Sequence, residues 1–102
     1  MEDYSVKIFS AAQDDLRSIV EYLNTLSYDT AMQYYTQLLE IPEILTTAPE
    51  IRPLAKDMQL RLRGYRTLPV KEFIIFYVIK EKTVELRRIL FAKKQYDTLI
   101  AV

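Results

Sequence analysis

Residues 72–91, EFIIFYVIKEKTVELRRILF, read as two strands joined by a tight charged turn. Phe73, Ile74, Ile75, Phe76, Tyr77, Val78 and Ile79 follow one another without a polar interruption and are rich in β-branched types. A strand that is apolar on both faces is covered on both faces, which places it at the centre of a sheet. Lys80, Glu81 and Lys82 break the run, and Thr83 and Val84 resume it. The rest of the chain is then read as cover for this sheet.

Just upstream, residues 61–70 read as a more polar strand. Leu60, Leu62, Leu68 and Val70 are apolar, and Arg61, Arg63 and Arg66 are basic. Gly64 suggests a bulge, and Pro69 puts the strand at an edge or marks its end. Residues 48–57, APEIRPLAKD, hold two prolines and mixed charge. They read as a loop, the one candidate for a mobile flap. Further back, residues 4–9 alternate Tyr4, Val6 and Ile8 with Ser5, Lys7 and Phe9, the period of a half-buried strand. Ser10-Ala11-Ala12-Gln13 fits a capping box, with Asp14 and Asp15 following in the first turn. Leu16, Ile19, Val20, Leu23 and Leu26 make one helical stripe. Ser27 or Asp29 caps a second helix, whose stripe is Ala31, Tyr34, Tyr35, Leu38, Ile41 and Leu45. Pro42 would remove a helical hydrogen bond and clash with the preceding turn, so a kink or restart is expected there. After Phe91 come a polar segment, residues 93–97, and a short apolar end, residues 98–102, that reads as a last docked turn of helix. The order is β-α-α-β-β-β. A helical hairpin on a small, mostly antiparallel sheet is an α+β fold, in a single domain spanning residues 1–102.

Composition excludes whole classes of chemistry. The chain has 102 residues, no cysteine and no histidine. Disulfides, thiolate zinc and the commonest general base are therefore absent, and any catalysis runs on Lys, Arg, Tyr or carboxylates. No metal, cofactor or small-molecule substrate is expected. The single glycine rules out a glycine-rich phosphate loop. No apolar run approaches a bilayer span, and the acidic start does not read as a signal peptide, so a cytoplasmic protein without a membrane partner is expected. Net charge is zero but uneven. Residues 1–48 carry a net −6, residues 49–71 a net +4 and residues 72–102 a net +2. A basic second half suits an anionic partner, and equally suits solvated surface charge.

Four groups of residues are candidates for function. Arg61, Arg63, Arg66 and Lys71, with Arg87, Arg88, Lys93 and Lys94, would neutralise phosphates if they shared a sheet face, Arg61 and Arg63 pointing the same way; otherwise they decorate its solvent side. Tyr96 beside Lys93 and Lys94 would serve as acid or base if those cations lowered its pKa, and would otherwise pack the final segment. Asp14 and Asp15 are adjacent on a helix and do not face each other, so helix-start electrostatics explain them better than an acid–base dyad. Tyr22, Tyr28, Tyr34 and Tyr35 are either core or a partner surface on the hairpin.

The stretch from Gly64 to Leu99 resembles the RelE/ParE superfamily, the toxins of type II toxin–antitoxin modules. The likeness rests on Gly64 and Arg66, on Leu68-Pro69-Val70, on Phe73, Ile74, Ile75, Phe76 and Tyr77, on the charged turn, and on Arg88-Ile89-Leu90 followed by a basic pair and Tyr96. The opening strand, Asp15-Leu16 and Ala31 extend it over nearly the whole chain. The resemblance implies a growth inhibitor masked by a cognate antitoxin. It also implies one of two targets: DNA gyrase, poisoned without nucleolysis on the ParE side, or mRNA on the ribosome, cut on the RelE side. RelE-like members commonly carry an Arg after the first aromatic of the central strand and a His after the Arg-Ile-Leu run. Here those positions hold Ile74 and Phe91. Arg66, Arg88, Lys93, Lys94 and Tyr96, with Lys71, would be left to compose a nuclease site. The Leu-Pro-Val run followed by Phe-Ile-Ile-Phe-Tyr favours the ParE side. A relic that only binds its antitoxin is the third expectation.

Overall fold

The computed structural model describes residues 3–92. The chain runs β1 (Ser5–Ile8), α1 (Ser10–Leu26), α2 (Tyr28–Leu39), α3 (Ile41–Ile44), α4 (Met58–Leu62), β2 (Arg66–Val70), β3 (Phe73–Lys80) and β4 (Thr83–Phe91), with a 3-10 turn at Pro49–Ile51. The strands form one sheet in the order β1-β4-β3-β2. Its single parallel pairing joins β1 to β4, and the other two pairings are antiparallel. This is the α+β architecture expected, with β3 inside the sheet and the proline-bearing β2 at an edge.

The two faces of β3 enter two cores. Phe73, Ile75 and Tyr77 pack with Val84, Leu86 and Ile89 of β4 beneath the helices, against Ala12, Ile19, Leu23, Ala31 and Leu38. On the reverse face Phe76 and Val78 meet Leu90 and the segment that supplies Ala55, Leu60 and Tyr65. The unbroken apolar run thus has a separate cover on each side.

Several local expectations change. Ser10 does not cap α1. Phe9 occupies the cap position, its N–H already bonded to the Leu86 carbonyl, and the strand register carries the helix start to Ser10. Gln13 Nε2 donates instead to the Ile8 carbonyl at 3.2 Å. Asp14 and Asp15 consequently fall beyond the first turn. Leu26, placed in the apolar stripe, is 64% exposed at the hairpin tip. Ser27 does cap α2, accepting from the Thr30 amide. At Pro42 the helix restarts: α2 ends at Leu39, and the proline sits in the first turn of α3, where its missing amide proton is tolerated.

The largest change is upstream of β2. Only residues 66–70 of the expected strand are extended; Met58–Leu62 is helical. Asp57 caps that helix by accepting from the Leu60 amide at 3.1 Å. Gly64 ends it, with φ of +83°. The Tyr65 amide donates to the Leu60 carbonyl and the Gly64 amide to the Arg61 carbonyl, a Schellman closure rather than a bulge. Arg61 and Arg63 are therefore not on one face of a strand. The segment read as a flap is anchored. Pro49 is buried, Leu54 bridges Arg66, and the Ala55 amide donates to the Tyr65 carbonyl.

Tyr77 fastens this segment from below. Its ring is fully buried and its hydroxyl donates to the Pro49 carbonyl at 2.7 Å. Burial pushes its pKa up to about 12, against a downward pull from Arg66 and Arg52. Tyr77→Phe leaves that carbonyl unpaired, and urea denaturation at neutral pH should show a loss of about 1–2 kcal/mol. The neutral phenol supports the fold below its ordinary pKa near 10, and this support is lost as pH rises through about 12. Stability of the unsubstituted chain should therefore fall more steeply across that interval than that of Tyr77→Phe.

Candidate functional site

The site grows from a mismatch in strand length. β1 pairs only with residues 83–86 of β4, through the register Ser5–Thr83 to Ile8–Leu86. From residue 87 to residue 91, β4 continues with no strand on that side among the described residues. The ladder with β3 also slips here. Tyr77 pairs with Leu86 and Phe76 with Arg88, leaving Arg87 as the extra residue of a bulge. Without the slip, Leu86 and Ile89 would lie on opposite faces; with it, both enter the core beneath the helices.

Asp15 of α1 fills the gap at the open edge. Its carboxylate accepts from the Ile89 amide at 2.9 Å and from Arg88 Nε and Nη2 at 2.7 and 2.9 Å. One side chain thus supplies the acceptor a strand would have supplied and pairs with the neighbouring guanidinium. The hydrogen bond to Asp15 raises the Arg88 pKa, outweighing burial. Arg87 is held separately. It bonds Glu85 Oε1 through Nη2 at 2.6 Å and the Tyr65 hydroxyl through Nη1 at 3.1 Å. Its guanidinium lies over the Phe9 ring, 4.6 Å from the centroid. Burial opposes its charge, and the hydrogen bond to Glu85 with the Tyr65 contacts raises its pKa on balance.

Beside the Asp15–Arg88 pair lies an open groove of about 250 Å³, between α1 and the end of β4. Ser18, Ile19, Tyr22, Phe73, Ile89 and Phe91 contribute to its walls. Phe91 rests against Phe73 with ring centroids 4.6 Å apart. Tyr22 and Tyr28 are 54% and 67% exposed, so half of the hairpin's tyrosine set is surface. Tyr34 is half-buried and packs edge-on against Phe73.

Of the residues proposed for a nuclease site, Arg66 and Arg88 fall on β2 and β4 with β3 between them, about 10 Å apart in backbone. Arg66 Nη1 donates to the Arg52 carbonyl at 2.5 Å. The structure does not bring the two guanidinium groups to a common centre. Lys71 lies over the Tyr34 ring. Lys93, Lys94 and Tyr96 lie outside the described residues, as does the apolar end. Among the described residues no cluster of carboxylates suits a metal ion. No helix among the described residues is long and apolar enough to cross a membrane. The residue that sequence reasoning undervalued is Asp15. The sequence carries a signal for the bulge, since the apolar phase of β4 slips by one between Leu86 and Ile89, but none that names Asp15 as its neighbour.

The model of a protein family described as the ParE toxin of the type II toxin–antitoxin system parDE matches residues 6–96. Among solved structures, a chain of the chromosomal ParDE toxin–antitoxin system from P. aeruginosa superposes with a TM-score of 0.75 at 20% identity, covering 88% of this chain and 97% of that one. A chain of the toxin–antitoxin complex RelBE2 from Mycobacterium tuberculosis gives 0.62 at 15% identity, covering 87% and 98%. At these identities the likeness is one of fold. No curated protein matches the chain in sequence.

Asp15→Ala removes the acceptor of the Ile89 amide and the partner of a three-quarters-buried arginine. Chemical denaturation should register a loss of about 2–4 kcal/mol. Asp14→Ala, which removes an exposed pair with Arg17, should stay within about 0.5 kcal/mol of the parent.

Proposed function

Because the chain belongs to the ParE family of toxins from type II toxin–antitoxin systems, we propose that it stops growth by a protein contact with DNA gyrase in the cytoplasm, without cutting nucleic acid, and that an antitoxin holds it in check. The observation that carries the choice of target is the engagement of Arg88. Cleavage through a 2′-hydroxyl needs a base, an acid for the leaving oxygen and cations for charge developing on phosphorus. Arg88 is clamped by Asp15 and Arg66 is bonded to a backbone carbonyl. Ile74 stands where RelE-like nucleases commonly place an arginine, and Phe91 is packed on Phe73. These features support a poison that acts by contact. The groove beside Arg88 and the exposed hairpin tip, Tyr22, Leu26 and Tyr28, are its candidate contact surfaces. The toxin–antitoxin origin of both structural neighbours supports the antitoxin as partner.

Relaxed plasmid incubated with purified gyrase and excess chain should remain unsupercoiled, and mRNA on translating ribosomes should show no new cuts. Tyr96→Phe with Lys94→Ala should keep full toxicity. Gyrase turning over normally, with A-site cuts that vanish in Tyr96→Phe, would make the chain an mRNA interferase. Healthy growth on induction without antitoxin would make it an inactive relic.

A further inference from the structure

The described cations of the second half, Arg52 and the exposed turn residue Lys80 apart, divide into two populations. Arg66, Arg87 and Arg88 are committed to carbonyls, carboxylates and a phenol within the fold, and Lys71 and Lys82 lie over tyrosine rings. Lys56, Arg61 and Arg63 are exposed and form no ion pair with any described residue. All three belong to α4 or its flanks. The carboxylate nearest in sequence, Asp57, is occupied as the helix cap.

The same short helix exposes two large apolar side chains. Met58 and Leu62, one turn apart, are 65% and 80% exposed. Arg61, three residues after Met58, shares their side of the helix, while Leu60 on the opposite side is buried against the sheet. The result is an apolar pair edged by unpaired cations. It lies on the reverse of the sheet from the α1–α2 hairpin, and so is separate from the groove and hairpin tip.

We propose that this face, residues 56–63, is a docking surface for an acidic amphipathic segment of the antitoxin, with carboxylates against Lys56, Arg61 and Arg63 and apolar side chains over Met58 and Leu62. The inference rests on the toxin–antitoxin reading and adds a place on the fold to it. Charge sets the sign of the occupant. A nucleic acid would use the cations but gain nothing from an exposed leucine and methionine between them. Methionine and arginine are residues that protein interfaces favour. The face lies across the sheet from the groove and hairpin tip assigned to the target, which leaves it to the other partner.

The probe is the product of the reading frame adjoining this chain's own, the antitoxin expected under that reading, with binding measured by calorimetry at near-physiological and high salt. Two variants address the face: Arg61→Glu with Arg63→Glu, and Met58→Ser with Leu62→Ser. Every altered side chain is exposed, so circular dichroism and melting should match the parent. Each variant should bind at least tenfold more weakly. Added salt should weaken the parent but barely move the charge-reversed chain. Lys80→Glu, a like change of charge at the β3–β4 turn, should bind as the parent does. Parental affinity in both variants overturns the proposal. So does unchanged antitoxin affinity with lost growth arrest, which would assign the face to the target. Unchanged antitoxin affinity with lost binding of a short DNA duplex also overturns it, in favour of nucleic acid. If the unaltered chain binds no antitoxin at all, the toxin–antitoxin reading falls and takes the proposal with it.

Discussion

The contact between Asp15 and the open edge of β4 connects the two layers of this fold. β1 is four residues long and covers less than half of β4. Where it stops, the chain turns into α1, and the sheet would be left with an unpaired amide beside a three-quarters-buried arginine. A carboxylate one turn and a half into α1 satisfies both. That ties the helical hairpin to a fixed height along β4 and sets which side chains of α1 reach the core. An unpaired buried amide or guanidinium is far more costly than a paired one is stabilising. The contact therefore acts mainly by excluding other placements of the hairpin.

The bulge at Arg87 makes this arrangement possible. Two arginines occupy the width of one strand position, and each is taken by a different neighbour, Arg88 by Asp15 and Arg87 by Glu85, Tyr65 and the Phe9 ring. Basic residues that look like one functional group in sequence are thus separated by the fold. Those on β2 and β4 hold the structure together, and those around α4 remain available to a partner. For a protein with no histidine and no cysteine, this division directs attention from a reaction centre toward surfaces.

The sheet was legible because its signals are local and redundant. Seven consecutive apolar residues at the end of a chain rich in helical stripes leave few alternatives for β3, and Pro69 excludes β2 from the interior. The restart at Pro42 was legible for the same steric reason. Residues 57–64 were misread because their apolar positions, Leu60 and Leu62, have the spacing of a strand. What decides them is a cap and a closure: Asp57 before the helix and Gly64 after it. Both signals were present, and the glycine was assigned to the wrong motif. Asp15 was missed for a different reason. Its partners, Arg88 and Ile89, are more than seventy residues away, and no local pattern identifies an acceptor for a strand edge that exists only after folding. The site was accordingly less legible than the fold.

The parallel pairing of β1 with β4 brings the chain's first strand against its last described one. Ser5 waits for Thr83, and Asp15 waits for Arg88. During synthesis the hairpin helices emerge early, but the layer they rest on is completed only with the final quarter of the chain. At about 5–20 residues per second the nascent polypeptide spends seconds without its central sheet. Such long-range closure is slow to nucleate, since the intervening loop must be ordered before its contacts form. The arrangement works as a delay. The helical layer has no sheet to rest on until β4 has been made, so any surface that needs both layers forms late.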